Sequence, residues 1–463
     1  MSDTTGALPR SSSPAPGSIT DITNRMERLP FTKWQVKARV LIGTATFFDA
    51  FDALAIAQVL PVLTPLWGLN GAQTGLLISV GYLGQLVGAL LFSWVAERRG
   101  RVFAMVGAIA LFTALSIACA LSWNFESLLV FRAFQGLGLG GQVPIAAVYI
   151  SEITKAHGRG RFILLYELIF SVGVVAAGLV GFWVVPHLGW EFMFLVGALP
   201  LLIIPILLRW LPESPRWLSG VGRDHAADHA MTRIEQQVQK AYEAPLPPVE
   251  DHHPPTPRKE SSWAELFRPP YLRRTLVVWA IWIGAYMVYY GISTWLPTLY
   301  RTVFKLPLEV SLQYGLISNV IGLGGATLCA LTIDYFGRRW WFAVALAGSG
   351  IFLFLLALSG LDTPSDLMIF GSGAYFFATA AAIGIYLYTP ELYPTRVRAL
   401  GVGTATAWLR VASMIGPILI GAFIGYGLAS VFAVFGGIAI LVAVIVAVFA
   451  LETKAKVLED LSP

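Results

Sequence analysis

Two aspartates, Asp49 and Asp52, stand out in the stretch FFDAFDALAIA (residues 47–57), because every other side chain there is apolar. Residues three apart lie on the same face of an α-helix. Two neighbouring carboxylates in an apolar environment cannot both be ionised at low cost, so one of them should bind a proton near physiological pH. The spacing therefore predicts a proton-binding pair.

Three further ionisable residues, Arg132, Glu167 and Arg410, also fall in apolar stretches. Counting along the predicted helices at about 1.5 Å per residue puts Asp52 and Arg132 at matching depth, about 22 Å into a membrane core of about 30 Å. Arg132 and Glu167 join the two aspartates as candidates for proton coupling. The alternative for Asp52 and Arg132 is a static ion pair that holds two helices together.

Arg410 falls about 15 Å deep by the same count, near the middle of the membrane, and no acidic residue shares its predicted helix. A guanidinium offers a carboxylate two parallel hydrogen bonds, so Arg410 is the candidate ligand for an anionic substrate. The alternatives are a hydrogen bond to backbone carbonyls at a broken helix, or a pairing between the two halves of the chain.

Aromatic residues crowd the stretch WAIWIGAYMVYYGISTWLPTLY (residues 279–300). Those nearest its ends suit the aromatic belts of a membrane surface, whereas the deeper ones recur at helical spacing and can line a cavity for a flat ring. The candidate substrate-binding residues here are Trp282, Tyr286, Tyr289 and Tyr290. Uncharged polar residues in other helices are candidates too, each in competition with a helix-packing role: Gln142, Gln313, Asn319 and Tyr386.

The composition determines the class of protein. Of 463 residues, 56% are hydrophobic and only 13% are charged, which is typical of a chain that crosses the membrane many times. The basic residues behind the net charge of +5 are spread thinly, which argues against nucleic-acid binding. Phosphate-binding loops, nucleophile motifs and metal-ligand spacings are absent from the sequence, so we expect neither an enzyme nor a cofactor or metal.

Twelve stretches are long and apolar enough to span a bilayer as helices, which predicts an all-α membrane protein. They are numbered TM1 to TM12 and fall near residues 37–60, 73–95, 101–122, 127–150, 162–186, 190–210, 273–297, 311–333, 340–360, 367–389, 400–424 and 428–451. A polar segment separates the sixth from the seventh. The predicted divisions are a disordered tail over 1–35, six-helix bundles over 36–210 and 273–451, a linker over 211–272, and a C-terminal tail over 452–463.

Basic residues predict the orientation, since short loops rich in Lys and Arg stay in the cytoplasm. Of the 32 Lys and Arg residues, 28 fall on the side of the termini and the linker. Both termini and the linker are therefore predicted to be cytoplasmic, in a cell inner membrane.

Three loop motifs occur once in each half, in the same order, and so indicate two related bundles. The pairs are ERRGR (97–101) with DYFGRR (334–339), SEITKAHGRGR (151–161) with PELYPTRVRALG (390–401), and LPESPRWL (211–218) with LETKAKVLED (451–460). Their acids and arginines predict a cytoplasmic gate that latches the halves when the cavity faces outward, or else contacts that only fix the loops. The gate candidates are Glu97, Arg98, Arg101, Glu152, Arg161, Asp334, Arg338, Glu391 and Arg398.

With this layout and these loops, the chain resembles the major facilitator superfamily of secondary transporters. FFDAFD, FRAFQGLGLGGQVP (131–144) and YLYTPELYPTRVRALG (386–401) look like bacterial nicotinate transporters, aromatic-acid/proton symporters and synaptic vesicle glycoprotein 2-like proteins. Two departures are Glu97, where the family usually has aspartate, and Ser93, where glycine is common. Neither affects the expected fold, although either could change the strength of the gate.

The resemblance implies a proton-coupled symporter that imports a small aromatic monocarboxylate, with nicotinate favoured, by alternating access and as a monomer. It also implies that Arg410 binds an organic anion, since related organic-anion transporters carry an arginine on TM11 and cation transporters tend to carry an acid there. The alternatives are transport of another organic ion or a sugar, and a transport-inactive protein that only binds its ligand. A channel is the least favoured, because no ring of like charges or filter sequence is visible.

Overall fold

The computed structural model describes residues 15–153, 159–249 and 262–454, except for the side chains of residues 159–167, 395, 396 and 399. Twelve helices in these ranges are long and apolar enough to cross a membrane, and no strand occurs in them. They are TM1 Lys33–Leu66, TM2 Gly71–Arg99, TM3 Arg101–Ala120, TM4 Phe125–Glu152, TM5 Leu168–Leu188, TM6 Glu191–Trp210, TM7 Tyr271–Thr302, TM8 Leu308–Phe336, TM9 Arg338–Leu358, TM10 Pro364–Glu391, TM11 Leu400–Tyr426 and TM12 Leu428–Phe449. The predicted all-α class and the number of spans are confirmed.

The helices form two bundles that repeat the same packing. TM1 packs on TM5, TM2 on TM4 and TM3 on TM6, and the second half repeats this with TM7 on TM11, TM8 on TM10 and TM9 on TM12. The halves meet where TM2 packs on TM11, TM5 on TM8 and TM1 on TM7. The pseudo-symmetric two-bundle architecture expected from the repeated loop motifs is therefore present.

Sharp turns at equivalent glycines join TM2 to TM3 and TM8 to TM9. Gly100 has φ +110° and Gly337 has φ +84°, a region of backbone conformation that favours glycine. Each glycine ends one spanning helix and begins the next. We call the end of the bundle that holds these two turns the linker end.

At the opposite end the two halves are in close contact. Ser79 Oγ on TM2 donates a hydrogen bond to the backbone oxygen of Met414 on TM11 at 2.8 Å, and Trp295 Nε1 on TM7 donates to the oxygen of Pro417 at 3.1 Å. A Cβ on Gly75 would lie 2.8 Å from that same oxygen, so only glycine allows TM2 to approach TM11 this closely. The interface between the halves is therefore closed at this end.

The prediction of a disordered tail over residues 1–35 is wrong for part of its length. Residues Ile19–Glu27 form a helix, α1, and TM1 begins at Lys33. Two short helices follow TM6, α2 (Pro215–Gly220) and α3 (Asp224–Lys240). Residues 1–14 lie outside the described ranges.

A buried ion-pair cluster fixes α1 to α3. Arg25 contacts Asp228 at 2.5 Å and Glu235 at 2.7 Å, and Arg28 contacts Glu235 at 2.5 Å. Burial alone would lower the pKa of Arg25, but hydrogen bonds and charges from Glu235, Asp228 and Asp21 raise it above its ordinary value. The guanidinium is therefore charged throughout the physiological pH range.

Candidate functional site

A cavity of about 40 Å³ lies between the two halves, where TM1, TM4, TM5, TM7, TM10 and TM11 meet. Its lining residues are Thr46, Asp49, Val143, Phe170, Ser171, Tyr286, Tyr289, Tyr290, Thr379, Ala382, Ile383, Tyr386, Leu409 and Arg410. This space admits a few water molecules but not an aromatic ring. A ring would require the lining side chains to move apart.

Several residues predicted from sequence are brought together around this cavity. The TM1 carboxylate Asp49 and the TM11 guanidinium Arg410 both line it. So do the predicted aromatic residues Tyr286, Tyr289, Tyr290 and Tyr386. An acid, a base and a set of aromatic rings from both halves thus share one polar space.

Arg410 is held from the other half of the protein. Its Nη1 donates a hydrogen bond to Oε1 of Gln85 on TM2, a residue that is almost fully buried. One of the alternatives left open by the sequence, a pairing of Arg410 across the halves, is therefore present in this structure. Gln85 was not identified from the sequence. In a glycine-rich helix an uncharged polar residue can serve helix packing or substrate binding, and the sequence does not distinguish the two roles.

Asp49 is 2% exposed, and its carboxylate oxygen Oδ1 has no hydrogen-bond partner among the described residues. The guanidinium of Arg410 attracts this carboxylate, and the nearby carboxylate of Asp52 repels it. Since both charged neighbours act on Asp49, its protonation state controls the net charge of the cavity.

Asp52 lies outside the cavity lining, within the first bundle. Its Oδ2 accepts hydrogen bonds from Ser116 Oγ on TM3 at 2.9 Å and from Gln135 Nε2 on TM4 at 3.3 Å. Its Oδ1 points at Gly197 on TM6, where any Cβ would collide with it. Asp52 therefore links TM1 to TM3 and TM4 by hydrogen bonds, at a site where TM6 can carry no residue larger than glycine.

Arg132 approaches Asp52 at the predicted depth, but through different atoms from those expected. Its Nη1 donates to the backbone oxygen of Asp52 at 3.4 Å and to Gln135 Oε1 at 2.8 Å. Gln135 then bridges to the Asp52 carboxylate. We call Asp52, Ser116, Arg132 and Gln135 the Asp52 network. Its two uncharged members were not recognised from the sequence.

The aromatic residues of TM7 form a continuous stack. Tyr286 stacks on Tyr290 with ring centroids 5.9 Å apart, and Tyr289 meets Tyr290 edge-on at 4.8 Å. Trp282 stacks behind Tyr286 at 5.3 Å, and its Nε1 donates to Thr389 Oγ1 at 3.0 Å. Trp282 thus supports the ring that lines the cavity and does not line it itself.

The other predicted polar residues lie away from the lining. Gln142 is fully buried, and neither its amide oxygen nor its nitrogen has a hydrogen-bond partner within the ranges that the structure describes. Asn319 faces Gly178 where TM8 meets TM5. Gln313 is exposed on TM8, so its predicted role in substrate binding is not supported. The side chain of Glu167 lies outside the described ranges.

The predicted gate residues form two equivalent clusters at the linker end. In the first half, Arg101 contacts Glu97 at 3.0 Å and Glu152 at 3.1 Å. In the second half, Arg338 contacts Asp334 at 2.7 Å and Glu391 at 3.0 Å. Each of these four contacts stays within its own half.

Two further acids, missed as site residues, complete these clusters. Glu213 accepts hydrogen bonds from the backbone N–H groups of Arg101 at 2.8 Å and Val102 at 3.1 Å. Glu452 does the same for Arg338 at 2.9 Å and Arg339 at 3.1 Å. Both acids therefore satisfy the free N–H groups at a helix N-terminus, TM3 and TM9 respectively.

The remaining gate candidates take other partners or are not described. The Arg98 guanidinium lies 4.2 Å from the centre of the Trp94 ring. Arg398 Nε donates to the backbone oxygen of Tyr393 at 3.2 Å. Arg161 lies outside the residues whose side chains are described.

The family model for sugar (and other) transporters matches residues 42–463. The chain belongs to this family of the major facilitator superfamily. The chain is 32% identical over 445 residues to the niacin transporter NiaP of Acinetobacter baylyi. This alignment covers 95% of the chain and 99% of NiaP. The 4-hydroxybenzoate transporter PcaK of the same organism is 27% identical to this chain, and the alignment covers 86% of this chain and 85% of PcaK. The gallate transporter of Pseudomonas putida is 28% identical, and the alignment covers 88% of this chain and 90% of that transporter.

Solved structures of the major facilitator superfamily have the same fold as this chain. A partially occluded inward-open structure of the xylose transporter XylE from E. coli aligns with a TM-score of 0.70 and 19% identity, covering 92% of this chain and 100% of that one. XylE bound to 6-bromo-6-deoxy-D-glucose aligns with a TM-score of 0.65 and 18% identity, covering 93% and 98%. The protein is thus a multi-pass membrane transporter of the major facilitator fold, and its family consists of transporters, not enzymes.

Proposed function

We propose that this transporter is a proton-coupled symporter that imports a small aromatic monocarboxylate, with nicotinate as the favoured substrate, by alternating access. One observation carries the proposal: Arg410, Asp49 and a group of tyrosine rings line the same cavity between the halves. Arg410 supplies a partner for the carboxylate, and the rings of Tyr286, Tyr289 and Tyr290 supply aromatic faces and edges for a flat substrate.

The coupling follows from the charges around the cavity. When Asp49 is ionised, its charge offsets that of Arg410, and an entering anion would face the carboxylate as well as the guanidinium. A proton on Asp49 removes that repulsion and leaves the charge of Arg410 to the substrate. The proton and the anion therefore favour each other's binding, as a symporter requires.

The relatives support the choice of substrate class. Niacin, 4-hydroxybenzoate and gallate, after which three of them are named, are all aromatic acids. The half-buried guanidinium of Arg410 suits that class better than a neutral sugar or a cation. The sugar substrate of XylE carries less weight in the choice of substrate, because at 18–19% identity the XylE structures are similar to this chain in fold alone.

We place the linker end in the cytoplasm of an inner membrane, together with both termini, because 28 of the 32 basic residues lie on that side. The functional units are the bundles over 36–210 and 273–451, joined by the linker over 211–272, in a monomer. With this orientation the end at which TM2 and TM7 contact TM11 faces outward. The clusters around Arg101 and Arg338 would then join across the halves in the outward-facing state and form the gate.

Uptake into vesicles tests the proposal. The purified transporter in proteoliposomes should accumulate labelled nicotinate under an imposed proton gradient, and a protonophore should abolish the accumulation. Excess unlabelled nicotinate or benzoate should compete, whereas glucose and choline should not. Competition by glucose or choline alone would instead favour a sugar or an organic cation. Saturable binding without accumulation under any gradient would show a transport-inactive binding protein.

A further inference from the structure

Among the buried polar atoms without a hydrogen-bond partner in the described part of the chain, four belong to the two aspartates of TM1 and to residues near them in the first bundle. They are Asp49 Oδ1, Asp52 Oδ1, the hydroxyl of Tyr82 and Nε of Arg132. Buried polar groups are nearly always hydrogen-bonded, to protein or to ordered water. A group of unpaired atoms around the cavity therefore points to water and to contacts that form in another state.

Tyr82 faces the cavity residues on one side. It lies on TM2, is 1% exposed, and its ring centroid is 4.8 Å from that of Tyr290, which lines the cavity. Its hydroxyl lies within electrostatic range of Asp49 and Arg410. One helical turn along TM2, Gln85 binds Arg410.

On its other side Tyr82 borders the Asp52 network. The residue before it, Gly81, is so close to Arg132 that a Cβ would lie 3.1 Å from Nη2 of the guanidinium. Arg132 also acts electrostatically on the Tyr82 hydroxyl and binds the backbone of Asp52. Tyr82 therefore neighbours residues of the cavity on one side and the Arg132 guanidinium of the Asp52 network on the other.

We propose that the Tyr82 hydroxyl, together with buried water, connects Asp49 with the Asp52 network and carries the coupled proton between the two aspartates. The inference rests on the proposed function and adds a residue to it. In the transfer, the hydroxyl gives its proton towards the ionised Asp52 as it accepts one, through water, from the protonated Asp49. The phenol is unchanged, Asp49 becomes ionised and Asp52 becomes neutral.

The charged and titratable groups around this path come from five helices. They are Asp49 and Asp52 on TM1, Cys119 on TM3, Arg132 on TM4, Tyr289 and Tyr290 on TM7, and Arg410 on TM11. Because the two arginines flank the path at its two ends, each aspartate can be ionised in turn beside a positive charge. The hydroxyl is the group that the substitution of tyrosine by phenylalanine removes without loss of the ring.

The test compares Tyr82→Phe with Tyr271→Phe. Tyr271 is a matched control, because it is 3% exposed, its hydroxyl also has no hydrogen-bond partner in the described part of the chain, and it lies at the linker end of TM7, outside the cavity lining. Three quantities are measured in proteoliposomes for wild type and both variants. They are nicotinate counterflow without a gradient, nicotinate accumulation under a proton gradient, and nicotinate-driven proton entry reported by an internal pH dye.

In Tyr82→Phe we expect counterflow within about twofold of wild type, but accumulation and proton entry lower by about tenfold or more, since exchange requires no net proton transfer. Tyr271→Phe should keep all three. Normal accumulation and proton entry in Tyr82→Phe would overturn the inference, and so would an equal loss of counterflow, which would indicate a substrate contact or a folding defect. If wild type itself shows counterflow without proton-driven accumulation, the proposed function fails, and this inference fails with it.

Discussion

The amide of Gln85 on TM2 and the guanidinium of Arg410 on TM11 form a hydrogen bond across the interface between the two halves. Both residues come from helices that also pack closely at the end away from the linker. A substrate carboxylate that binds Arg410 must share it with Gln85 or displace the amide. Binding at Arg410 is thereby linked to a contact that holds the halves together.

A permanent carboxylate in place of that amide should block the anion site. In Gln85→Glu we expect the Kd for nicotinate to rise by about tenfold or more, because the new acid pairs with Arg410. Isothermal titration calorimetry measures the effect. Gln313→Glu, at an exposed position on TM8, is the control and should leave the Kd unchanged. Equal affinity in Gln85→Glu and wild type would show that the substrate does not use Arg410.

Geometry, and not charge alone, should matter at Arg410. Lysine keeps the positive charge but lacks the planar pair of donors, so we expect Arg410→Lys to weaken nicotinate binding by about tenfold and Arg410→Ala by more. Thermal-shift titrations of both variants compare the two effects, since ligand binding raises the apparent stability. A full nicotinate-induced shift in Arg410→Ala would place the carboxylate elsewhere.

The space beside Asp52 should not tolerate even a methyl group. Any Cβ on Gly197 would overlap Oδ1 of Asp52, so we expect Gly197→Ala to destabilise the first bundle by about 1–3 kcal/mol. Gly437→Ala on TM12 is the control, because a Cβ there meets no atom within 4 Å. Thermal unfolding in detergent should show a lower Tm for the first variant only. Equal Tm values would mean that Asp52 can move aside freely.

The cluster around Arg25 should stabilise helices α1 and α3 by an amount that barely changes near neutral pH. Folding raises the pKa of Arg25, so its contribution to stability is complete below the ordinary pKa of arginine and is lost only as the pH rises above it. Arg25→Ala should therefore lower the Tm by the same amount across about pH 6 to 9. Limited proteolysis should also cut the region around α1 faster in this variant. A Tm difference that disappears within that pH range would contradict the assignment.

The sequence predicted the spans and much of the cavity for one physical reason. An ionisable or aromatic group deep in an apolar helix must face the protein interior, so Asp49, Arg410 and the tyrosines of TM7 pointed to a shared site. Gln85 and Gln135 could not be found in this way. An uncharged amide is tolerated at packed and at ligand-binding positions alike, so only the fold shows what it faces.

The errors have equally specific causes. Gln313 lies close to the start of TM8, where a polar side chain can face the surface, and depth alone did not separate it from the interior candidates. Helix α1 was missed because it lies in a region rich in serine, proline and charge. It is held by contacts to α3 about two hundred residues away, such as Arg25 to Glu235 at a separation of 210. Local composition cannot reveal a partner at that distance.

The number of protons taken up when nicotinate binds shows whether Asp49 gains a proton as Arg410 gains the substrate anion. Calorimetric titrations in buffers of different ionisation enthalpy give this number for wild type and for Asp49→Asn. We expect net proton uptake when wild type binds nicotinate, and none in Asp49→Asn. Binding by wild type with no proton uptake, or the same uptake in both proteins, would contradict the claim that Asp49 and Arg410 receive the proton and the anion together.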